Sequence, residues 1–289
     1  MKRIYLITTK HLENGLWFRD EDDFRVAMNY IAIEAARHPE VIVLAFILMS
    51  NHTHFVLKGR RADVIAFVNS IKHRYSIYYR RKYGIKELLR RNTLDVREIS
   101  LDNEGIEKVI AYVLMNCVAA NICSHPSQYP WGTGALYFNP SPSRGRRLEN
   151  LSLRLRTRIL HSEEDCLPGD WILSEAGFIL SSSYVDVAGV ESVYRSPRRF
   201  NYFLNNSSKA RMRLEAGESI PAFKDQIIMS ALPDLLRSLF QKDSFRQLLP
   251  EEKSEMARQI RFRFSADATQ IARVCGTTYA EAAQLLDQL

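Results

Sequence analysis

One stretch limits the fold more than any other: residues 44–57, LAFILMSNHTHFVL. It is apolar throughout except for Ser50-Asn51-His52-Thr53-His54 near its middle. The flanking runs, residues 41–48 and 55–57, are rich in branched and aromatic side chains. They read as two buried strands joined by a tight turn at Met49-Ser50-Asn51. Side chains alternate between faces along a strand, so His52 and His54 share one face. Two imidazoles on one face of a rigid strand make half of a divalent-metal site. A His-x-His pair taken alone reads first as structural or solvated, so the metal reading needs a third ligand and a reactive group.

The surrounding pattern places this hairpin. Residues 4–9 alternate as a first strand. Asp20 is suited to cap a helix over 21–38, with Phe24, Met28, Ile31 and Ala35 at helical spacing and Pro39 as its stop. Asp63 is suited to cap a second helix over 64–83, ended by Gly84. Residues 94–99 read as a fourth strand, and Asp102 or Asn103 as the cap of a third helix over 104–122. The order β-α-β-β-α-β followed by a helix predicts an α+β fold: a ferredoxin-like split β-α-β antiparallel sheet with one added helix.

That added helix supplies what the histidine pair lacks. Tyr112 and Asn116 stand four apart, on one helical face. The amide oxygen of Asn116 suits a hard cation, Mg²⁺ or Mn²⁺, and Tyr112 would lie one turn away. Taken singly, Tyr112 reads as a half-buried helix aromatic and Asn116 as a surface or capping amide.

Charge is unevenly spread. Residues 58–91 hold eleven lysines and arginines against Asp63 and Glu87, a net +9, which leaves −2 for the remainder of a chain of total charge +7. A cationic field of this size points to a polyanion. Lys58, Arg60, Arg61, Lys72, Arg74, Arg80, Arg81 and Lys82 are the candidate DNA-binding residues. The plainer reading is a solvated basic helix face. Tyr75, Tyr78, Tyr79 and Tyr83 on the same helix read as core or base-stacking groups.

Asn51-His52-Thr53-His54, the basic helix, Tyr112-Val113-Leu114-Met115-Asn116 and Gln128-Tyr129-Pro130-Trp131 together resemble the Y1 transposases, HUH-type single-strand DNA endonucleases of the IS200-like class, in their REP-associated branch. The resemblance covers residues 1–138. It implies a divalent metal, Mg²⁺ or Mn²⁺, held by His52, His54 and Asn116, with Tyr112 as the nucleophile and the added helix as the catalytic one. It implies a covalent 5′-phosphotyrosine intermediate, and single-stranded or hairpin DNA of REP type as partner. Ser50, Thr53 and Cys117 depart from the family's usual residues without removing a ligand or the nucleophile.

Beyond this region, SPSRGRR at 141–147 reads as a polar hinge, flanked by Pro140. The expected division is residues 1–140 as the transposase domain, 141–248 as a linker and helical accessory region, and 249–289 as a helix-turn-helix candidate within a mainly helical C-terminal region. In the last segment Gly276 marks the turn and Thr277 or Thr278 the second cap; an ordinary helical hairpin fits nearly as well. No apolar run reaches the ~20 residues of a membrane helix. The four cysteines are scattered without a Cys-x-x-Cys pair, so a reducing cytoplasm is expected. A non-catalytic DNA-binding regulator derived from a transposase stays open as the alternative, an RNA-binding module less so, and the sequence admits a homodimer.

Overall fold

A computed structural model describes residues 2–9, 16–85, 93–101, 104–120, 122–140, 144–162, 166–207, 225–264 and 266–287. The first elements are β1 (Arg3–Thr9), α1 (Glu21–Arg37), β2 (Ile42–Met49), β3 (His52–Gly59), α2 (Arg61–Tyr83), β4 (Leu94–Glu98), α3 (Gly105–Leu114) and a short α4 (Asn116–Ala119). The strands form one four-stranded antiparallel sheet in the order β2-β3-β1-β4. The protein is thus α+β, with a largely helical C-terminal region.

β2 and β3 are buried along nearly their whole length, because both faces of the sheet are covered. Phe55 turns toward α2, its ring 6.4 Å from that of Phe67. Alternation sends His52 and His54 to the other face, where α3 packs. Each large apolar side chain removed from water there contributes about 1.5–3 kcal/mol before the entropy of ordering it.

β2 would be an open edge, and the chain covers it. Leu48 N–H donates to Trp131 O at 2.9 Å, and Thr133 N–H to Phe46 O at 3.1 Å. Between them Gly132 approaches so closely that a Cβ would lie 3.0 Å from Phe46 O. The Tyr129 hydroxyl donates to Leu48 O at 2.7 Å.

The C-terminal half adds β5 (Gly145–Arg147), α5 (Leu153–Leu160), β6 (Ile172–Ser174), α6 (Val187–Tyr194), α7 (Pro197–Asn205), α8 (Asp225–Phe240), α9 (Pro250–Phe264), α10 (Ala268–Cys275) and α11 (Tyr279–Asp287). Leu148, Leu173, Val190 and Phe200 join the apolar cluster of the sheet. Residues of α8 to α11 form a second cluster, around Ile228, Met256, Ile260 and Ile271.

Several local expectations are modified. Arg60, not Asp63, occupies the α2 N-cap, and Asp63 instead takes the Arg60 guanidinium at 2.7 Å within the first turn. Gly84 ends α2 in the left-handed conformation, φ 70°, as its permissive backbone allows. The third helix is interrupted at Met115 rather than running to residue 122. Within the expected hinge, Gly145–Arg147 pairs with β6 as a strand. The expected caps at Asp102 and Asn103, hinge residues 141–143 and the basic residues 86–91 lie outside the described residues.

The α1–α2 pairing is locked by a buried carboxylate. Asp23, whose side chain is fully buried, receives Lys82 Nζ at 2.8 Å, the Tyr78 hydroxyl at 3.0 Å, the Tyr83 hydroxyl at 2.9 Å and Arg19 N–H at 2.7 Å. Lys82→Met strips the charge partner while keeping the length of the side chain. Loss of one partner of a buried pair costs about 3–5 kcal/mol. Here about 2 kcal/mol is expected, since the Lys82 side chain is 26% exposed. Urea unfolding of the variant against the parent measures it.

Candidate functional site

The β2–β3 turn consists of Ser50 and Asn51 alone, so the first residue of β3 is already His52. His52 and His54 are buried, and their rings lie 4.7 Å apart, nearly perpendicular. Each ring is held at Nδ1. His54 Nδ1 lies 2.9 Å from Thr8 Oγ1, and Thr8 is its direct partner across the β1–β3 register. His52 Nδ1 lies 2.9 Å from Asn51 Oδ1. A carbonyl oxygen only accepts, so this contact puts a proton on His52 Nδ1 and, in the neutral ring, leaves the lone pair to Nε2. Both Nε2 atoms are buried. Orientation of one ring nitrogen by a polar neighbour is how metal-binding imidazoles are set.

α3 brings Tyr112 onto this face. Its ring is 5.8 Å from that of His54, edge to face at 83°. Burial pushes the Tyr112 phenol above its ordinary range; Arg97 pulls it down and Asp95 adds to the rise. Asp95 stands opposite Thr8, which stands opposite His54, so alternation puts all three on the same face of the sheet. Arg97 Nε donates to Asp95 Oδ2 at 2.9 Å along the β4 edge.

Asn116 follows the break at Met115, and it is buried. Its Nδ2 donates to Tyr112 O at 2.8 Å and Val113 O at 3.1 Å, which fixes the amide plane. Oδ1 is then the atom it would offer a cation. The donor set of two imidazole nitrogens and an amide oxygen fits a divalent ion with coordination positions to spare. Among the described residues no group of three or more His, Cys, Asp or Glu offers a competing metal site.

The structure thus brings His52, His54 and Tyr112 together and ties Asn116 to the Tyr112 turn. It does not bring the basic helix to them. α2 packs on the Phe55 face, so the sheet stands between its charges and the histidines. Several of those charges are engaged inside the fold. Arg74 pairs with Glu34 at 2.9 Å and covers the Tyr30 ring. Lys82 serves Asp20 and Asp23, and Arg60 serves Asp63. Lys72 is buried, and burial pushes its amine below the lysine range. Lys58, Arg61, Arg80 and Arg81 are exposed.

The tyrosines of α2 are structural. Tyr75 donates to Trp17 O, and Tyr79 to Leu16 O at 3.0 Å. Burial pushes the Tyr79 phenol up to about 12. Sequence reasoning missed Thr8, Asn51, Asp95 and Arg97. Asn51 was legible as the neighbour of His52; the other three acquire meaning only from strand register.

Residues 16–97 match the family model described as Transposase IS200 like. That segment includes His52 and His54, while Tyr112 and Asn116 lie beyond it. A solved structure, described as "Structure of the REP associates tyrosine transposase bound to a REP hairpin", is similar over 45% of this chain and 76% of that chain, at 14% identity and a TM-score of 0.35. No curated protein matches. Over residues 16–97 the chain is thus similar to the IS200-like transposase family.

Proposed function

We propose that the protein is a metal-dependent single-strand DNA endonuclease and strand transferase, with Tyr112 as nucleophile and His52, His54 and Asn116 as ligands of Mg²⁺ or Mn²⁺. The convergence of the Tyr112, His54 and His52 rings on one covered sheet face carries this reading. The IS200-like match over the histidine segment supports it. In this reading the sheet is a ferredoxin-like split β-α-β scaffold, α3 is the added catalytic helix, and residues 1–140 are the transposase domain.

A bound divalent cation supplies Lewis-acid neutralisation of the scissile phosphate. The remaining work falls to the chain. Thr8 and Asn51 hold the imidazoles, and Asn116 is held by the carbonyls of the Tyr112 turn. The Tyr112 phenol gives up its proton and its oxygen attacks phosphorus. The bond to the 3′ oxygen breaks, and that oxygen takes up a proton as a 3′-hydroxyl. The product is a 5′-phosphotyrosine. It retains the phosphoester, so a 3′-hydroxyl of another strand reverses the step and joins DNA without ATP.

The DNA is single-stranded or hairpin in form, of REP type. Lys58 lies on the histidine face by alternation, whereas Arg61, Arg80 and Arg81 belong to the opposite side and serve binding away from the reacting phosphate. Among the described residues no helix is long and apolar enough to cross a membrane. Cys117, Cys123, Cys166 and Cys275 are free thiols.

Tyr112→Phe removes the nucleophile alone. It should abolish covalent adducts on labelled single-stranded DNA in a denaturing gel while changing affinity less than about twofold; adducts persisting in the Phe variant would assign the chemistry elsewhere. Binding by the parent protein with no nicking in either Mg²⁺ or Mn²⁺ would leave a transposase-derived DNA-binding regulator.

His52→Ala should lower nicking by at least about 100-fold, with no rescue by millimolar Mn²⁺, in line with the cost of losing a direct ligand. His125→Ala, at the exposed residue that caps the 3-10 turn Pro126–Gln128, is the control and should nick as the parent does.

A further inference from the structure

The two histidines are held by different parts of the chain. His54 takes its Nδ1 contact from Thr8, inside the sheet. His52 takes its contact from Asn51, in the turn itself. A two-residue turn at the end of a hairpin is ordinarily its most mobile point. Here it is gripped from outside the sheet. Ser50 O accepts Trp17 N–H at 2.8 Å and Phe18 N–H at 3.2 Å. Ser50 Oγ donates to Asp225 Oδ2 at 2.7 Å.

Asp225 is the first residue of α8 and is buried. Three further donors hold its carboxylate. Gln270 Nε2 reaches Oδ1 at 2.8 Å, and the Arg273 guanidinium forks across both oxygens at 3.0 and 3.2 Å. Gln270 and Arg273 belong to α10, the first helix of the C-terminal hairpin. The next residue, Gln226, donates to Phe18 O at 2.8 Å. Asp225 and Gln226 together therefore clamp the Ser50 turn and the Trp17-Phe18 segment that backs it. The Arg273–Asp225 pair has side-chain exposures of 19% and 4%, so solvent screens it little. Charge-assisted, bidentate bonds of this kind fix geometry as well as energy.

We propose that Asp225 is a positioning residue for the metal site: it locks the Ser50-Asn51 turn and, through Asn51, the orientation and tautomer of His52, making the helices α8–α11 a working part of the catalytic centre. The consequence for catalysis rests on the reading of His52 as a metal ligand; the contact chain from Arg273 to His52 does not. A tail that merely packed on the domain would bury apolar surface against it. It would not place a carboxylate under the hydroxyl of the residue two before a ligand.

The test uses the full chain labelled with ¹⁵N-histidine, without metal or DNA. Ser50→Ala deletes the contact to the turn while keeping the Asp225–Arg273 pair. Asp225→Asn weakens the pair. In the parent, His52 should show the Nδ1–H tautomer in long-range ¹H–¹⁵N spectra. In both variants its ring signals should move toward the tautomer average, while those of His54, held by Thr8, stay in place. Titration with Mn²⁺ alone should show affinity lower by about tenfold, the scale for losing an outer-shell partner. If Asp225→Asn loses its cooperative melt, Ser50→Ala decides. Unmoved His52 signals in a folded variant overturn the proposal. So does equal movement of His52 and His54, which would mean general loosening. A shifted His52 in a protein whose parent never nicks DNA would keep the clamp and sink the enzyme, whereas efficient nicking with His52 indifferent to Ser50 would do the reverse.

Discussion

The rest of the molecule depends on one register: the antiparallel pairing of β3 between β2 and β1, closed by the two-residue turn at Ser50-Asn51. Strand side chains alternate with period two, so slipping β3 by one residue would put Thr53 and Phe55 where the imidazoles now stand. Burial on both faces forbids the slip. Phe55 is needed against Phe46 and Phe67, and Thr53 N–H is bonded to Thr9 Oγ1 at 2.8 Å. The apolar packing of one face thereby sets the polar chemistry of the other. Only in this register does Thr8 meet His54.

Buried polar groups are costly unless satisfied, and the site is arranged so that its supports are themselves part of the fold. The helix break at Met115 illustrates this. Beside it the Asn116 side chain donates to the carbonyls of Tyr112 and Val113. The amide is tied to the tyrosine turn at an irregularity that periodicity did not foresee.

Much of the fold was legible because it follows from period and punctuation. The apolar run gave the hairpin, Asp20 capped α1 as expected, accepting Asp23 N–H at 2.9 Å, and Gly84 stopped α2. The residues of the site were legible as types in order, through family resemblance more than through spacing. What stayed hidden needed a third dimension. Periodicity says that a helix has a polar face, but not which side of a sheet that helix covers. Nor does it say that Lys82 will be taken by Asp20 and Asp23, about sixty residues upstream. Part of the expected hinge, Gly145–Arg147, is strand β5, and β6, which pairs with it, is too short to announce itself. Asp225 carried no signal at all, since its meaning lies in Ser50 on one side and Arg273 on the other.

These placements change the electrostatic argument. Counted along the chain, the basic run is contiguous with the histidines; in space the sheet and its packed side chains lie between the histidines and the charges of α2, while Lys58 stays on the histidine face. Interactions between exposed charges fade over about 8–10 Å at physiological salt, and two packed layers span roughly twice that. Arg60, Arg74 and Lys82 already face carboxylates, so their fields fall off as those of dipoles. Arg61, Arg80 and Arg81 can draw a polyanion to the protein, but they cannot stabilise charge at a phosphate beside Tyr112. In the proposed mechanism that task would fall to a cation held by the buried donors of the histidine face, since Arg97 too is paired, with Asp95. Binding and chemistry would then draw on separate sets of charges on opposite sides of one sheet, with the β4 edge, where Arg97 and Asp95 lie exposed, as the border between them.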